Sequence, residues 1–325
     1  MPPGIPAGTA DVLDHRLVAQ ARERVEGLVR PVSLSPLGPG VPGEGQVYLA
    51  LEFMQHTGSF KARGALNFAL AHADAGAMPE AGVVIASGGN AGLACAWATT
   101  TRAGYPTTVF LPETAPRVKV ERLRGYGARV CLVGDRYAQA LDASRAYAAE
   151  HGALQSHAYD HPLIAAGAGT LLPEITAAVP GGVDTVVVAV GGGGLFSGVA
   201  SAAAERGIRV VAVEPERCRA LNAALDAGEP VDVPVDSVAA DSLGATRASR
   251  MAVTAAQRPG VTSLLVSDEE IVRARHELWE NHRIVVEHGA ATALAALTSG
   301  RYATTAGERV AVVLCGANTD PATVV

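Results

Sequence analysis

The chain reads as an α/β protein, and three observations predict it. Short β-branched apolar runs recur from about residue 83 to the C-terminus, Ala-rich segments of helical length separate them, and glycine-rich turns lead from strand into helix. Strands that are apolar on both faces must be covered on both, so helices between them imply parallel βαβ units. In order, Val83-Val84-Ile85-Ala86 is a strand, followed by a helix from Ala91 to Thr101. Thr107 to Leu111 is the next strand, then come a helix through Leu123, a strand from Arg129 to Val133 and a helix from Tyr137 to Glu150. The alternation restarts after the glycine-rich stretch Gly167-Ala168-Gly169, with a helix to Ala178, a strand from Thr185 to Val190, a helix from Leu195 and a strand from Ile208 to Val213. A helix from Asp268 to His282, another after Glu287 and a strand from Arg309 to Leu314 close the chain, and the Pro/Gly-rich segment from Pro36 to Gly45 reads as a loop.

With 325 residues, 49% of them hydrophobic, the chain can bury a large core and form two domains. A net charge of -6 with no basic block among aromatics argues against nucleic-acid binding. The start Met1-Pro2-Pro3-Gly4-Ile5 has neither region of a signal peptide and no later segment approaches a membrane span, so a cytoplasmic protein with no membrane partner is expected. Four cysteines, Cys95, Cys131, Cys218 and Cys315, stand apart without a Cys-x-x-Cys pair, which fits reduced thiols better than disulfides or zinc.

Only two of the 26 basic residues are lysines. A chain that uses arginine wherever a bare charge suffices retains lysine where a compact, deprotonatable amine is needed, and such an amine can form a Schiff base. Lys119, within Arg117-Val118-Lys119-Val120-Glu121-Arg122, reads as a solvated charge on a surface helix. Lys61, within Gly58-Ser59-Phe60-Lys61-Ala62-Arg63-Gly64, is either another surface charge or the reactive amine.

Three glycine-rich turns follow strands, where ligands of open α/β sheets bind. Ser87-Gly88-Gly89-Asn90-Ala91-Gly92 opens a helix and offers N–H groups to a carboxylate or phosphate. Gly191-Gly192-Gly193-Gly194-Leu195 also opens a helix and lets backbone donors approach an anion closely. Leu314-Cys315-Gly316-Ala317-Asn318 ends the last strand. Neither helix-opening loop spells a dinucleotide fingerprint, and no lysine follows either as in a Walker loop. Two anion sites, one Schiff-base lysine and no nucleotide motif describe a phosphorylated aldehyde condensed with an amino acid, which is pyridoxal phosphate (PLP).

Taken in order, Gly58-Ser59-Phe60-Lys61-x-Arg63-Gly64-Ala65, Ser87-Gly88-Gly89-Asn90, Gly191 to Leu195, Glu287-x-Gly289-Ala290-Ala291 and Cys315-Gly316-Ala317-Asn318 resemble the fold-type II PLP enzymes, the tryptophan synthase β-like architecture of two parallel-sheet α/β domains. The branch they resemble most is the serine/threonine dehydratases (ammonia-lyases). The resemblance implies that Lys61 holds PLP as a Schiff base with Phe60 against the ring, and that Asn90 bonds the ring hydroxyl. It implies that Ser87, Gly88, Gly89, Asn90 and Ala91 bind the substrate carboxylate, that Gly191, Gly192, Gly193, Gly194 and Leu195 cradle the phosphate, and that Cys315 meets the pyridine nitrogen. A buried small hydrophobe is the other reading of Cys315. The implied layout is a small substrate-carboxylate domain, residues 55–158, inserted into a large PLP-binding domain of residues 1–54 and 159–325, in a homodimer without the regulatory domain of biosynthetic threonine dehydratases.

A neutral thiol does not stabilise a protonated pyridine, so loss of a β leaving group should compete well against reprotonation at Cα. The implied reaction has Lys61 remove the Cα proton as general base and the β-hydroxyl leave, protonated by the PLP phosphate, giving a 2-oxo acid and ammonia. Departures from the pattern narrow the branch. Serine racemases carry a serine where this chain has Gly88, which argues against efficient racemisation. Near Glu214 the metal-dependent members have a second carboxylate where this chain has Ala220, so a divalent site is not expected, while a monovalent cation held by backbone carbonyls is compatible. Ser242 stands where the family has Gly or Ala; it reads either as a hydroxyl bonded to backbone or as a substrate contact. Two rival functions remain, a β-replacement synthase, whose carboxylate loop usually reads Thr-Ser-Gly-Asn, and a non-catalytic sensor of a phosphorylated metabolite, which leaves Lys61 unexplained.

Overall fold

A computed structural model describes residues 10–38 and 41–324. Ten strands form two sheets. Strands β1 (Leu34–Leu37), β2 (Gln46–Ala50), β7 (Thr185–Ala189), β8 (Arg209–Pro215), β9 (Val261–Val266) and β10 (Arg309–Val313) make the larger sheet, in the order β1-β2-β10-β7-β8-β9. Strands β3 (Val83–Ala86), β4 (Thr107–Leu111), β5 (Arg129–Leu132) and β6 (Leu154–Gln155) make the smaller, in the order β5-β4-β3-β6. Every pairing is parallel except β1 with β2. Strands β3, β4 and β7 are buried along their whole length, as continuous apolar runs between helix layers require. The smaller sheet draws only on residues 83–155, whereas both ends of the chain meet in the larger one.

Four strands were not expected. The loop read from Pro36 to Gly45 begins too early, because Pro36 and Leu37 belong to β1; a proline is tolerated there because β1 is an edge strand. Strand β6 has two residues, and β9 is only partly buried, so neither shows a long apolar run. The stretch Gly167-Ala168-Gly169 is the end of the helix Pro162–Gly169. Its glycines serve packing. A β-carbon on Gly167 would stand 2.6 Å from Arg63 O, and one on Gly198 would stand 2.1 Å from Ala165 O. The helix Pro162–Gly169 therefore lies backbone to backbone against both Lys61–Asp74 and Gly194–Ala204, which fixes the distance between the lysine segment and the tetraglycine turn.

Arg63, fully buried, strengthens this placement. Its guanidinium donates to Glu52 Oε1 at 2.6 Å and Oε2 at 3.1 Å, and to Glu174 Oε1 at 2.6 Å and Oε2 at 2.9 Å. This network ties the Lys61–Asp74 helix to the segment after β2 and to the helix Leu171–Ala178. Deleting one partner of a buried set like this strands a charge and costs about 3–5 kcal/mol.

Candidate active site

A cavity of about 510 Å³ opens between the two sheets at the carboxyl ends of their strands. Phe60 and Lys61, the loop Ser87 to Ala91, the turn Gly191 to Leu195, Ser242 and Cys315 all line it. Residues spread along the chain from Phe60 to Cys315 thus converge on one site.

Lys61 opens the helix Lys61–Asp74. Its Nζ donates to Ala158 O at 2.8 Å and stands 4.8 Å from the Phe60 ring centroid. Burial lowers its pKa to about 8, against the opposing pull of Cys315 and Glu287. An amine so placed can shed its proton near neutrality. The segment before it is zipped to the end of β10: Phe60 N donates to Cys315 O at 2.9 Å and Ala317 N to Gly58 O at 2.9 Å. Thr57, at φ 67, is held in the left-handed region, and its Oγ1 and the Ser59 Oγ are buried without a hydrogen-bond partner among the described residues.

The turn after β7 presents the N–H groups of Gly191, Gly192, Gly193 and Gly194 to no protein acceptor among the described residues. Gly193 has φ +95, and a β-carbon on it would lie 2.3 Å from Ala252 Cβ; one on Gly192 would meet the Tyr159 ring at 2.3 Å. Only glycine fits, and the result is a cradle of donors at the start of the helix Gly194–Ala204, suited to a phosphate. The loop Ser87 to Ala91, before the helix Asn90–Ala96, offers a second set of outward N–H groups across the cavity. A β-carbon on Gly88 would point at Leu111 Cδ2, 2.9 Å away.

Cys315 is buried, and burial with the Glu287 carboxylate beside it pushes its thiol up, so it stays neutral. Asn90 Nδ2 donates to Glu287 Oε1 at 2.9 Å and Oε2 at 3.1 Å, while Asn90 Oδ1 accepts from Asn318 Nδ2 at 2.7 Å. Among the described residues Ser242 Oγ meets no backbone hydrogen-bond partner, and it lies over Gly289, where a β-carbon would come within 2.1 Å.

Three residues with no role assigned from the sequence belong to the site. Glu287, buried with its pKa raised by desolvation, partners Asn90; its place in the motif Glu287-x-Gly289-Ala290-Ala291 was the available signal. Tyr159 braces the tetraglycine turn and donates from its phenol to Arg247 O at 3.1 Å. Leu111 backs Gly88. Lys119 keeps its solvent exposure, as its reading as a solvated charge has it, and its Nζ also reaches the exposed Asp241 Oδ1 at 3.0 Å across the cavity mouth. Glu214 has both oxygens engaged as acceptors, from Leu221 N at 2.7 Å and Asn222 N at 2.8 Å, so it caps the helix Ala220–Ala227. Among the described residues no group of three His, Cys, Asp or Glu stands ready for a metal, and no helix is long and apolar enough to cross a membrane.

A cavity at strand ends, a partly buried lysine of lowered pKa and a glycine turn of unclaimed N–H groups fit a PLP-dependent fold-type II enzyme. Residues 27–316 match the family of pyridoxal-phosphate dependent enzymes, and the chain belongs to it. Within that family its relatives are serine/threonine dehydratase-like. It is 34% identical over 331 residues to the L-threonine ammonia-lyase of Geobacter sulfurreducens, covering 96% of this chain and 77% of that protein. It is 35% identical over 319 residues to the phenylserine dehydratase of Ralstonia pickettii, covering 97% and 96%. The structure of maize serine racemase superposes with a TM-score of 0.86 at 28% identity, over 96% of this chain and 95% of that one. The fold-type and the PLP cofactor expected from the sequence are thereby established.

Proposed function

We propose that this chain removes water from L-serine, L-threonine or a bulkier 3-hydroxy amino acid, giving a 2-oxo acid and ammonia. The observation that carries the reading is Lys61: a partly buried amine with its pKa lowered to about 8, between two glycine-rich loops suited to anions and beside a thiol that stays neutral. PLP, when bound, draws electrons from the bonds at the substrate Cα.

The chain's residues have these roles. Lys61 anchors the cofactor, then takes the Cα proton once the substrate amine has replaced it. Phe60 packs against the ring, Asn90 donates to the ring hydroxyl, and Glu287 holds the Asn90 amide. Gly191, Gly192, Gly193, Gly194 and Leu195 receive the phosphate. Ser87 to Ala91 receive the substrate carboxylate, and Ser242, its hydroxyl unclaimed by backbone, faces the substrate. Cys315 supplies a neutral partner to the ring nitrogen, which favours loss of the β-hydroxyl over return of the proton. The division into residues 55–158, carrying the carboxylate loop, and the remainder, carrying the phosphate turn, belongs to the same reading. So do the homodimer and the cytoplasmic location, which light scattering and cell fractionation check.

Racemisation is the second reading, prompted by the likeness to maize serine racemase. Gly88 places no acid on the face opposite Lys61, and Leu111 occupies the space behind it. Incubating the PLP-loaded enzyme with serine, threonine and phenylserine separates the readings. Equal release of 2-oxo acid and ammonia supports elimination; D-serine as the main product from L-serine overturns it.

A further inference from the structure

The helix Arg117–Gly125 borders the cavity mouth through Lys119, and Lys119 and Arg122 both line a small adjoining cleft with Asn90, Asp241 and Asn318. Lys119 and Arg122 are three positions apart and share a face. Lys119 Nζ meets Asp241 Oδ1 at 3.0 Å, and Arg122 Nη2 donates to Asn318 Oδ1 at 2.6 Å. The second bridge continues inward. Asn318 Nδ2 donates to Asn90 Oδ1 at 2.7 Å and to Thr57 O at 2.7 Å, and Asn90 Nδ2 donates to Glu287.

A guanidinium can only donate, so Asn318 must turn its oxygen to Arg122 and its amide nitrogen to the site. Asn90 must then offer its oxygen to Asn318, which turns its own Nδ2 toward Glu287, a residue of the cavity wall. The Thr57 carbonyl favours the same sense, and Arg122 adds a charged donor at the outer end of the chain of amides.

We propose that Arg122 is a positioning residue: acting through Asn318, it holds the Asn90 amide with its donors toward the coenzyme. This rests on the PLP reading above, in which Asn90 donates to the ring hydroxyl. Arg122 is exposed, so its bridge contributes little to global stability, and its effect falls on the site.

The test compares holoenzyme carrying Arg122→Ala, Arg122→Lys or, as a control on the same helix, Arg124→Ala. The readouts are the Schiff-base absorbance band and its pH titration, kcat and KM, and Tm. Arg122→Ala should keep its Tm, displace the titration of the band, and lower kcat on the order of tenfold, as loss of a charge-assisted hydrogen bond does. KM should move less than kcat, since Arg122 does not touch substrate. Arg122→Lys should recover most of both changes, and Arg124→Ala should match wild type. A wild-type spectrum and kcat in Arg122→Ala, a change in Tm alone, or a lysine no better than alanine overturns the proposal. Failure of the underlying reading looks different: the wild-type protein itself would then show no Schiff-base band.

Discussion

Lys61 is the group whose environment makes the most quantitative demand on the protein. The fall of its pKa from 10.5 to about 8 corresponds to about 3 kcal/mol by which the folded apo-protein disfavours the ammonium. Because the folded value lies below the unfolded one, the unfolded chain binds the extra proton. The penalty is therefore full below pH 8 and disappears as the pH passes 10.5. Lys61→Met, which cannot titrate, provides the reference, since every other ionisable group is common to both proteins. Between about pH 7 and about pH 9.5 the stability of apo wild type should rise relative to apo Lys61→Met by about 2 kcal/mol, or several degrees in Tm. Thermal unfolding of both apo-proteins at the two pH values measures this. Parallel behaviour would show that the amine is not buried as described, and the argument from Lys61 to its chemistry would fail.

Cys315→Ser should keep much of the activity, Cys315→Ala should lose about 1 kcal/mol of hydrogen bonding, and Cys315→Asp should raise solvent deuterium exchange at Cα relative to 2-oxo acid release; an unchanged ratio in the Asp variant removes Cys315 from the ring nitrogen. Gly88→Ser should retain the fold, because the atom it meets is the mobile end of Leu111, and should gain D-serine formation, more so with Leu111→Val; chiral chromatography that finds no D-serine in either variant counts against the role given to Gly88. Gly193→Val should weaken PLP binding and also destabilise the apo-protein. The left-handed backbone costs about 1–2 kcal/mol and the crowding against Ala252 about 1–3 kcal/mol. A variant with wild-type Tm and wild-type PLP affinity contradicts the cradle.

The parallel strands β3, β4, β7 and β8 were legible because each is an apolar run with a helix beyond it, and β10 because it is an apolar run with a helix before it. Strand β1 was not, since Pro36 argues against a strand until its edge position is known. The glycines at 167 and 169 read as a stretch ahead of the helix rather than as part of one, because sequence does not show which helix a glycine must touch. In the site, the lysine and the glycine loops carried their chemistry in the residue types themselves. Glu287, Tyr159 and Arg122 act by contacts with residues 197, 33 and 196 positions away, and no local pattern announces such pairings. The pairing of Lys119 with Asp241, 122 positions away, was hidden for the same reason.

The most direct measurement is reduction of the PLP-loaded protein with borohydride, followed by peptide mapping. With two lysines in the chain, the outcome is nearly binary. The account predicts a phosphopyridoxyl group on Lys61, with bleaching of the visible band and complete loss of 2-oxo acid release from 3-hydroxy amino acids. Label on Lys119, or an unlabelled Lys61 in protein that still turns over, would contradict it.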